Sequence, residues 1–336
     1  MEKQSRSPLS AIRRSLVSAP YAERTDLSGK TAIVTGTAPN SIGYETARTL
    51  ARWGAKVIVT TRSNPEIIAD RIREELALEN CTAAIDSHPL DLSLASSVSA
   101  FAAWYRATHG EHLDILINNA GIHLDLLSQW KEPQLSADGF EIQWRTNYLG
   151  TMHLTHALLP LLQNAGRDRG DARIVNVVSQ LHTKGINAAL FAPAVPYNSW
   201  TAYGTSKLAL VHATYELQRR HAKTDHVQAY CLHPGAVFTN IADKGLAGNP
   251  MLGAIRKTMA PIERFFLLTP EEGAQTQIYC AAKNGLAGGL YYQKCRPASS
   301  SPDSQDAKIS AHLWETTTAW AHAASKILLT PLRVGN

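Results

Sequence analysis

Cysteine is sparse in this chain of 336 residues: Cys81, Cys231, Cys280 and Cys295 are its four, and they lie far apart. They form no CxxC pair and no Cys/His cluster, which argues against a zinc site and a disulfide scaffold and leads us to expect reduced thiols in a cytoplasmic protein. His123, His153, His156, His182 and His233 stand at no ligand spacing with a carboxylate, so no metal is expected; all but His182 are read as packing or surface. A GxSxG elbow is missing, which removes the usual serine-hydrolase reading. So are long hydrophobic runs: nothing approaches the roughly 18 apolar residues that span a bilayer, and stable membrane insertion is not expected. Charge of one sign is only slightly in excess, 33 basic residues against 28 acidic ones leaving +5. The basic residues are scattered without aromatic interleaving, the pattern of a solvated surface rather than of a nucleic-acid binder.

What is present suits a globular body: 44% hydrophobic and 18% charged residues, at a length that supports a buried core. Residues 1–26, containing SPLSAIRRSLVSAPY, read as an N-terminal arm packing on the body, with a weak transit peptide as the alternative. Apolar β-branched runs recur at 31–35, 55–61, 114–119, 172–179 and 227–232, with a further strand near 83–91. Helical periodicity fills the gaps at 45–54, 65–79 and 94–110. This alternation predicts an α/β chain, a single Rossmann-type doubly wound parallel sheet with helices on both faces, running from 27 to 336. The patch RPASSSPDSQDAK at 296–308 is expected to be an exposed loop, inside a C-terminal extension from 293 that ends in a helix.

In such a sheet ligands sit beyond the carboxyl ends of the strands, and the motifs fall there. After the first strand comes TGTAPNSIGYETA, 35–47. Gly36 permits a tight turn and Gly43 lets the helix pack closely, while Pro39 stiffens an inserted residue and Ser41 stands where a glycine is expected. The Ser41 hydroxyl either bonds a phosphate or caps the helix. Gly36, Thr37, Asn40, Ser41, Ile42 and Gly43 are the candidate pyrophosphate loop, with backbone N–H groups at the helix start as the anion site. The second strand ends in Arg62 and Ser63 where an acid would select an unphosphorylated ribose, which favours NADP(H). Further on, Tyr203 and Lys207 stand four apart in YGTSK and share one face of a helix. An ammonium beside a phenol favours phenolate, so the pair is expected to lower the tyrosine's pKa and move a proton to or from a carbonyl oxygen. Ser179, at a strand end, can hydrogen-bond the same oxygen.

Taken in order, the glycine turn, NNAG at 118–121, Ser179, YGTSK at 203–207 and HPGAVFT at 233–239 resemble the short-chain dehydrogenase/reductase family over roughly residues 27 to 292. The texture of TTRS, WRTNYLGTMHLT and RIVNVVSQLH resembles its retinol dehydrogenase-like branch, which includes many fungal secondary-metabolism reductases. The resemblance implies that Lys207 also holds the nicotinamide ribose and that Asn147 holds a relay water. It implies that Asn119, Ala120 and Gly121 shape the adenine side, that Asp91 and Leu92 lie near the adenine, and that Pro234, Gly235, Val237 and Thr239 flank the nicotinamide. Asp91 alternatively caps the next helix. Ser179 and Tyr203 are 24 positions apart, more than in the commonest members. The loop 183–202 is therefore expected to line the pocket or lie as a flap, with His182, Phe191 and Trp200 as substrate candidates and 240–268 as a lid. The implied activity is NADPH-dependent reduction of a ketone or aldehyde, or oxidation of the matching alcohol, on a lipophilic molecule of specialised metabolism. A non-redox isomerase or cyclase and a silent NADP-binding scaffold stay open. Family members often pair through the helices carrying Asn147 and Tyr203, which makes a homodimer the expectation.

Overall fold

The β-branched runs become strands because each is buried on both faces, where branched side chains pack well on a pleated surface. A computed structural model describes residues 20–192, 196–237 and 267–327. Most of the expected arm, most of the expected lid and Thr239 lie outside the described residues. Within them the strands are β1 (Thr31–Thr35), β2 (Lys56–Thr61), β3 (Ile85–Pro89), β4 (Ile115–Asn118), β5 (Ala172–Val177), β6 (Val227–His233), β7 (Leu290–Gln293) and β8 (Arg296–Ala298). They form one sheet in the order β3-β2-β1-β4-β5-β6-β7-β8, parallel up to β7.

The helices are α1 (Ile42–Arg52), α2 (Pro65–Leu78), α3 (Ala95–His109), α4 (Gly150–Arg169), α5 (Ser199–His221), α6 (Pro270–Ala282) and α7 (Ala307–Ile327). Alternation along the strands sorts them into two layers. Ile33, Leu116 and Ile174 stand in register across β1, β4 and β5 and face α3, α4, α5 and α7. Val34, Ile117 and Val175 face α1, α2 and α6. With strand order reversing between β1 and its two neighbours, the crevice for a ligand opens at the carboxyl ends of β1 and β4.

Two expectations are corrected. The stretch 296–308 is in part built into the sheet: β8 pairs antiparallel with β7, and Ser301 and Ser304 are buried. The hairpin turn is made by Lys294 and Cys295 with φ of 51° and 53°. Such left-handed turn positions normally carry Gly or Asn, so nothing in the composition announces the turn. The long helix expected through TNYLG is interrupted as well. A single turn, Ile142–Trp144, leads into a π-helical turn, Arg145–Leu149, before α4 begins.

Candidate active site

The glycine turn is held by packing as much as by its own flexibility. Gly36 has φ 73°, and a Cβ there would stand 2.9 Å from Ala120 Cα; one on Gly43 would meet Asn119 Nδ2 and the Gly36 carbonyl, each at 2.5 Å. Between them Asn40 takes a left-handed conformation, φ 57°, which asparagine tolerates better than most residues. Ser41 caps α1, accepting from Tyr44 N–H at 3.1 Å and donating to the Gly36 carbonyl at 3.4 Å. Of the alternatives read from the sequence, the structure shows the cap. The N–H groups of Gly36 and Thr37 both go to the Thr60 carbonyl, as does the Thr37 hydroxyl. The anion-binding capacity of this loop therefore lies in the first-turn N–H groups of Ile42 and Gly43, which an α-helix leaves without intrahelical partners.

Asparagines cross-brace the crevice. Asn119 donates to the carbonyls of Thr35 and Gly36 at 2.8 and 3.2 Å, and Ala120 N–H reaches the Thr35 hydroxyl at 2.9 Å. Asn118 bonds Asn176 and Thr155, tying β4 to β5 and α4. Gly121 leaves room beneath Lys207, whose Nζ would lie 3.2 Å from a Cβ there. At the end of β2, Arg62 and Ser63 are exposed. Asp91 accepts from Ser93 N–H and hydroxyl at 2.8 and 2.6 Å, a turn at the entrance to α3. The Leu92 carbonyl takes Arg145 Nη1 at 2.7 Å. Pro234 and Gly235 follow β6, with Gly235 at φ 93°, and Val237 bridges to Leu268.

Ser179, just beyond β5, accepts from Leu181 N–H at 3.2 Å, and its side chain lies near the Tyr203 phenol. Lys207 is buried, donates to the Val177 carbonyl at 3.0 Å, and its Nζ lies 5.8 Å from the centre of the Tyr203 ring. Burial pushes the phenol up to about 12 against the smaller opposing effect of Ser179. Burial also brings the ammonium down to about 8. The expected depression of the tyrosine by its lysine is thus not what this arrangement shows: the ammonium is turned to a carbonyl, and desolvation dominates both groups.

Asn147 sits inside the π-helical turn. Its amide accepts from Ile122 N–H at 2.8 Å and donates to the Ile122 carbonyl at 2.9 Å and to Ser206 at 3.1 Å. In turn Ser206 donates to the Tyr203 carbonyl at 2.7 Å. The side chain of Asn147 therefore fastens the loop after β4 to α5.

The three substrate candidates part company. Trp200 donates from Nε1 to the Leu126 carbonyl at 3.1 Å and stands edge-on to His123, centroids 4.7 Å apart. His182 is 2% exposed. Ser301 N–H donates to its Nε2 at 2.9 Å, so Nδ1 carries the proton and donates to the Ser179 carbonyl at 2.7 Å. Its ring braces the serine turn against the C-terminal segment and has no nitrogen left for a ligand. Phe191 is exposed and packs on His312 of α7 at 4.7 Å, as a surface flap does.

His123, read from the sequence as packing or surface, packs on the Tyr203 ring itself, with centroids 4.1 Å apart and planes 12° apart. Sequence reasoning passed over Ser206 and Gln143. The available signal for His123 was its place two residues after NNAG, on the loop that leaves the central strand.

A doubly wound sheet with a glycine turn at its switch point, and a serine beside a half-buried tyrosine and a buried lysine, defines a dinucleotide-fold protein with a candidate acid–base site. Residues 30–248 match the family model for short chain dehydrogenase, and the chain belongs to that family. Human retinol dehydrogenase 11 is 34% identical to it over 309 residues, which cover 91% of this chain and 90% of that protein. A solved protein from Mycobacterium paratuberculosis matches with a TM-score of 0.63 at 30% identity, over 92% of this chain and 98% of its own. The RhlG/NADP active-site complex of Pseudomonas aeruginosa matches with a TM-score of 0.57 at 26% identity, over 79% and 94%.

Proposed function

We propose that the chain is an NADP(H)-dependent oxidoreductase interconverting a carbonyl and an alcohol on a lipophilic substrate, with Tyr203 handling the proton. The observation that carries this is buried Lys207, donating to the Val177 carbonyl with its Nζ 5.8 Å from the centre of the Tyr203 ring, and Ser179 just beyond β5, on elements that meet at the carboxyl ends of the strands. The residues present fit a nicotinamide dinucleotide. The first-turn N–H groups of α1 would hold its pyrophosphate, Arg62 and Ser63 a ribose 2′-phosphate, and Lys207 the ribose beside the reacting ring. When bound, such a cofactor supplies or accepts the hydride.

Tyr203, pushed up to about 12, is a protonated phenol at neutral pH and so is ready to donate to a carbonyl oxygen. Ser179 accepts from Leu181 N–H, which leaves its own O–H to orient that oxygen. The rings of Trp200 and His123 line the space near Tyr203, and the human relative is a dehydrogenase of retinol, a lipophilic alcohol. The test follows NADPH absorbance against a panel of long-chain, terpenoid and retinoid aldehydes and ketones. Tyr203→Phe is expected to cut turnover by about a hundredfold or more, and undiminished turnover in that variant removes the proton-donor role.

A further inference from the structure

Among the described residues, the aromatic stack at the candidate centre involves a residue outside the serine, tyrosine, lysine and asparagine set. His123 is 5% exposed, its ring lies parallel to Tyr203 at 4.1 Å, and Trp200 closes it edge-on at 4.7 Å and 87°. The backbone on either side is pinned. Ile122 makes two hydrogen bonds to Asn147, and Leu124 N–H donates to Gln143 at 3.0 Å. From the other direction Ser199 donates to the Asp125 carbonyl at 2.6 Å and Trp200 to the Leu126 carbonyl. The imidazole is therefore held by its loop, and it uses its face: among the described residues its buried Nε2 has no hydrogen-bond partner. A buried nitrogen left unpaired costs free energy, so a purely structural filler at this place would be expected to be apolar.

We propose that His123 is a positioning residue, whose ring fixes the plane of Tyr203 so that its hydroxyl stays aimed at the oxygen that takes the proton. This rests on the reading of Tyr203 as proton donor. Burial and the neighbouring Lys207 hold the imidazole down to about 4, so the ring meets the phenol uncharged throughout the neutral range. A phenol ring turns about two side-chain bonds; a parallel ring on one face blocks both the swing and the flip. Misplacing a reacting group by about 1 Å can cost on the order of a hundredfold in rate.

The experiment compares His123→Leu, which fills the space without a ring face, His123→Phe, which keeps the face, and Tyr203→Phe, in the whole chain with NADPH and a lipophilic aldehyde that it turns over. His123→Leu is expected to lower kcat by about tenfold to a hundredfold with KM for aldehyde and for NADPH within about twofold, and His123→Phe to restore most of kcat. Melting temperature and NADPH binding report whether each variant folds; a Leu variant that fails to fold is replaced by His123→Met, with the same expectations. Wild-type kcat in the non-aromatic variant, or a Phe variant as slow as it, overturns the proposal while Tyr203→Phe stays inactive. An active Tyr203→Phe overturns the reading beneath it instead.

Discussion

On the NADP(H) reading proposed above, cofactor choice rests on one guanidinium. No acid stands at the end of β2, and the glycine loop carries Asn40 and Ser41 where a second basic group would help. Arg62 is exposed there beside Ser63. A charge-assisted hydrogen bond contributes about 1.5 to 3 kcal/mol, so Arg62→Ala is expected to raise KM for NADPH by about tenfold to a hundredfold and to leave NADH kinetics unchanged. An equal effect on both cofactors would show that Arg62 acts on the fold and not on a 2′-phosphate. At this scale Tyr203, Lys207 and Ser179 were legible in the sequence, because a four-residue spacing and a strand end place them without knowledge of any long-range contact. His123 and Ser206 were not, because their roles exist only where the loop after β4 meets α5. His182 was misread for the same reason: its partner, Ser301 N–H, is 119 residues away.

The element that would hold the pyrophosphate in the proposed reading is α1. Its start is built by Ser41, which takes one first-turn N–H and leaves the turn preorganised for an anion. Ser41→Ala is expected to cost about 1 kcal/mol in denaturant unfolding, as the loss of a serine cap does, while the dissociation constant for NADPH stays within about twofold. A large loss of affinity with unchanged stability would assign the hydroxyl to a phosphate instead. The α6 start was readable in full, since Thr269, Pro270 and Glu272 form a capping box that local sequence encodes. The β7–β8 hairpin was not, because Lys294 and Cys295 adopt left-handed turn geometry without the residues that usually signal it. The π-helical turn around Asn147 was equally silent. It coincides with Arg145, fully buried between Asp138 and the Leu92 carbonyl, and those partners come from outside the helix.

Across the whole molecule, histidine burial sets an acid limit on stability. Desolvation holds His123, His153, His156, His212 and His233 down to about 4 from 6.5. Below 6.5 the unfolded chain takes up these protons before the folded one, so it binds more protons and stability falls with falling pH. The contribution is complete above 6.5 and is lost progressively down to about 4. Thermal melting is expected to drop steadily from pH 7 to pH 5, and a flat profile across that range would show that these rings are already hydrated in the native state. The two layers beneath these rings explain their burial. His153 and His156 lie on α4, and α7 covers them with Trp320 and Trp314. Among the described residues no helix is long and apolar enough to cross a membrane.

The alternation of buried β-branched runs with helical periods determined, by sequence alone, that a parallel sheet would form, that its strand ends would carry the glycine turn and Ser179, and that Tyr203 and Lys207 would share one face of a helix. Those features are local: period, cap and spacing act within a few residues and need no partner elsewhere. The tertiary structure decided what each group does once there. It turned Lys207 to a carbonyl and raised Tyr203 by burial. It made Asn147 a clamp on Ile122, engaged both ring nitrogens of His182 with backbone groups, and set His123 on the tyrosine's face. Desolvation, stacking and hydrogen bonds between distant segments depend on which surfaces meet, and that is settled only when the layers close.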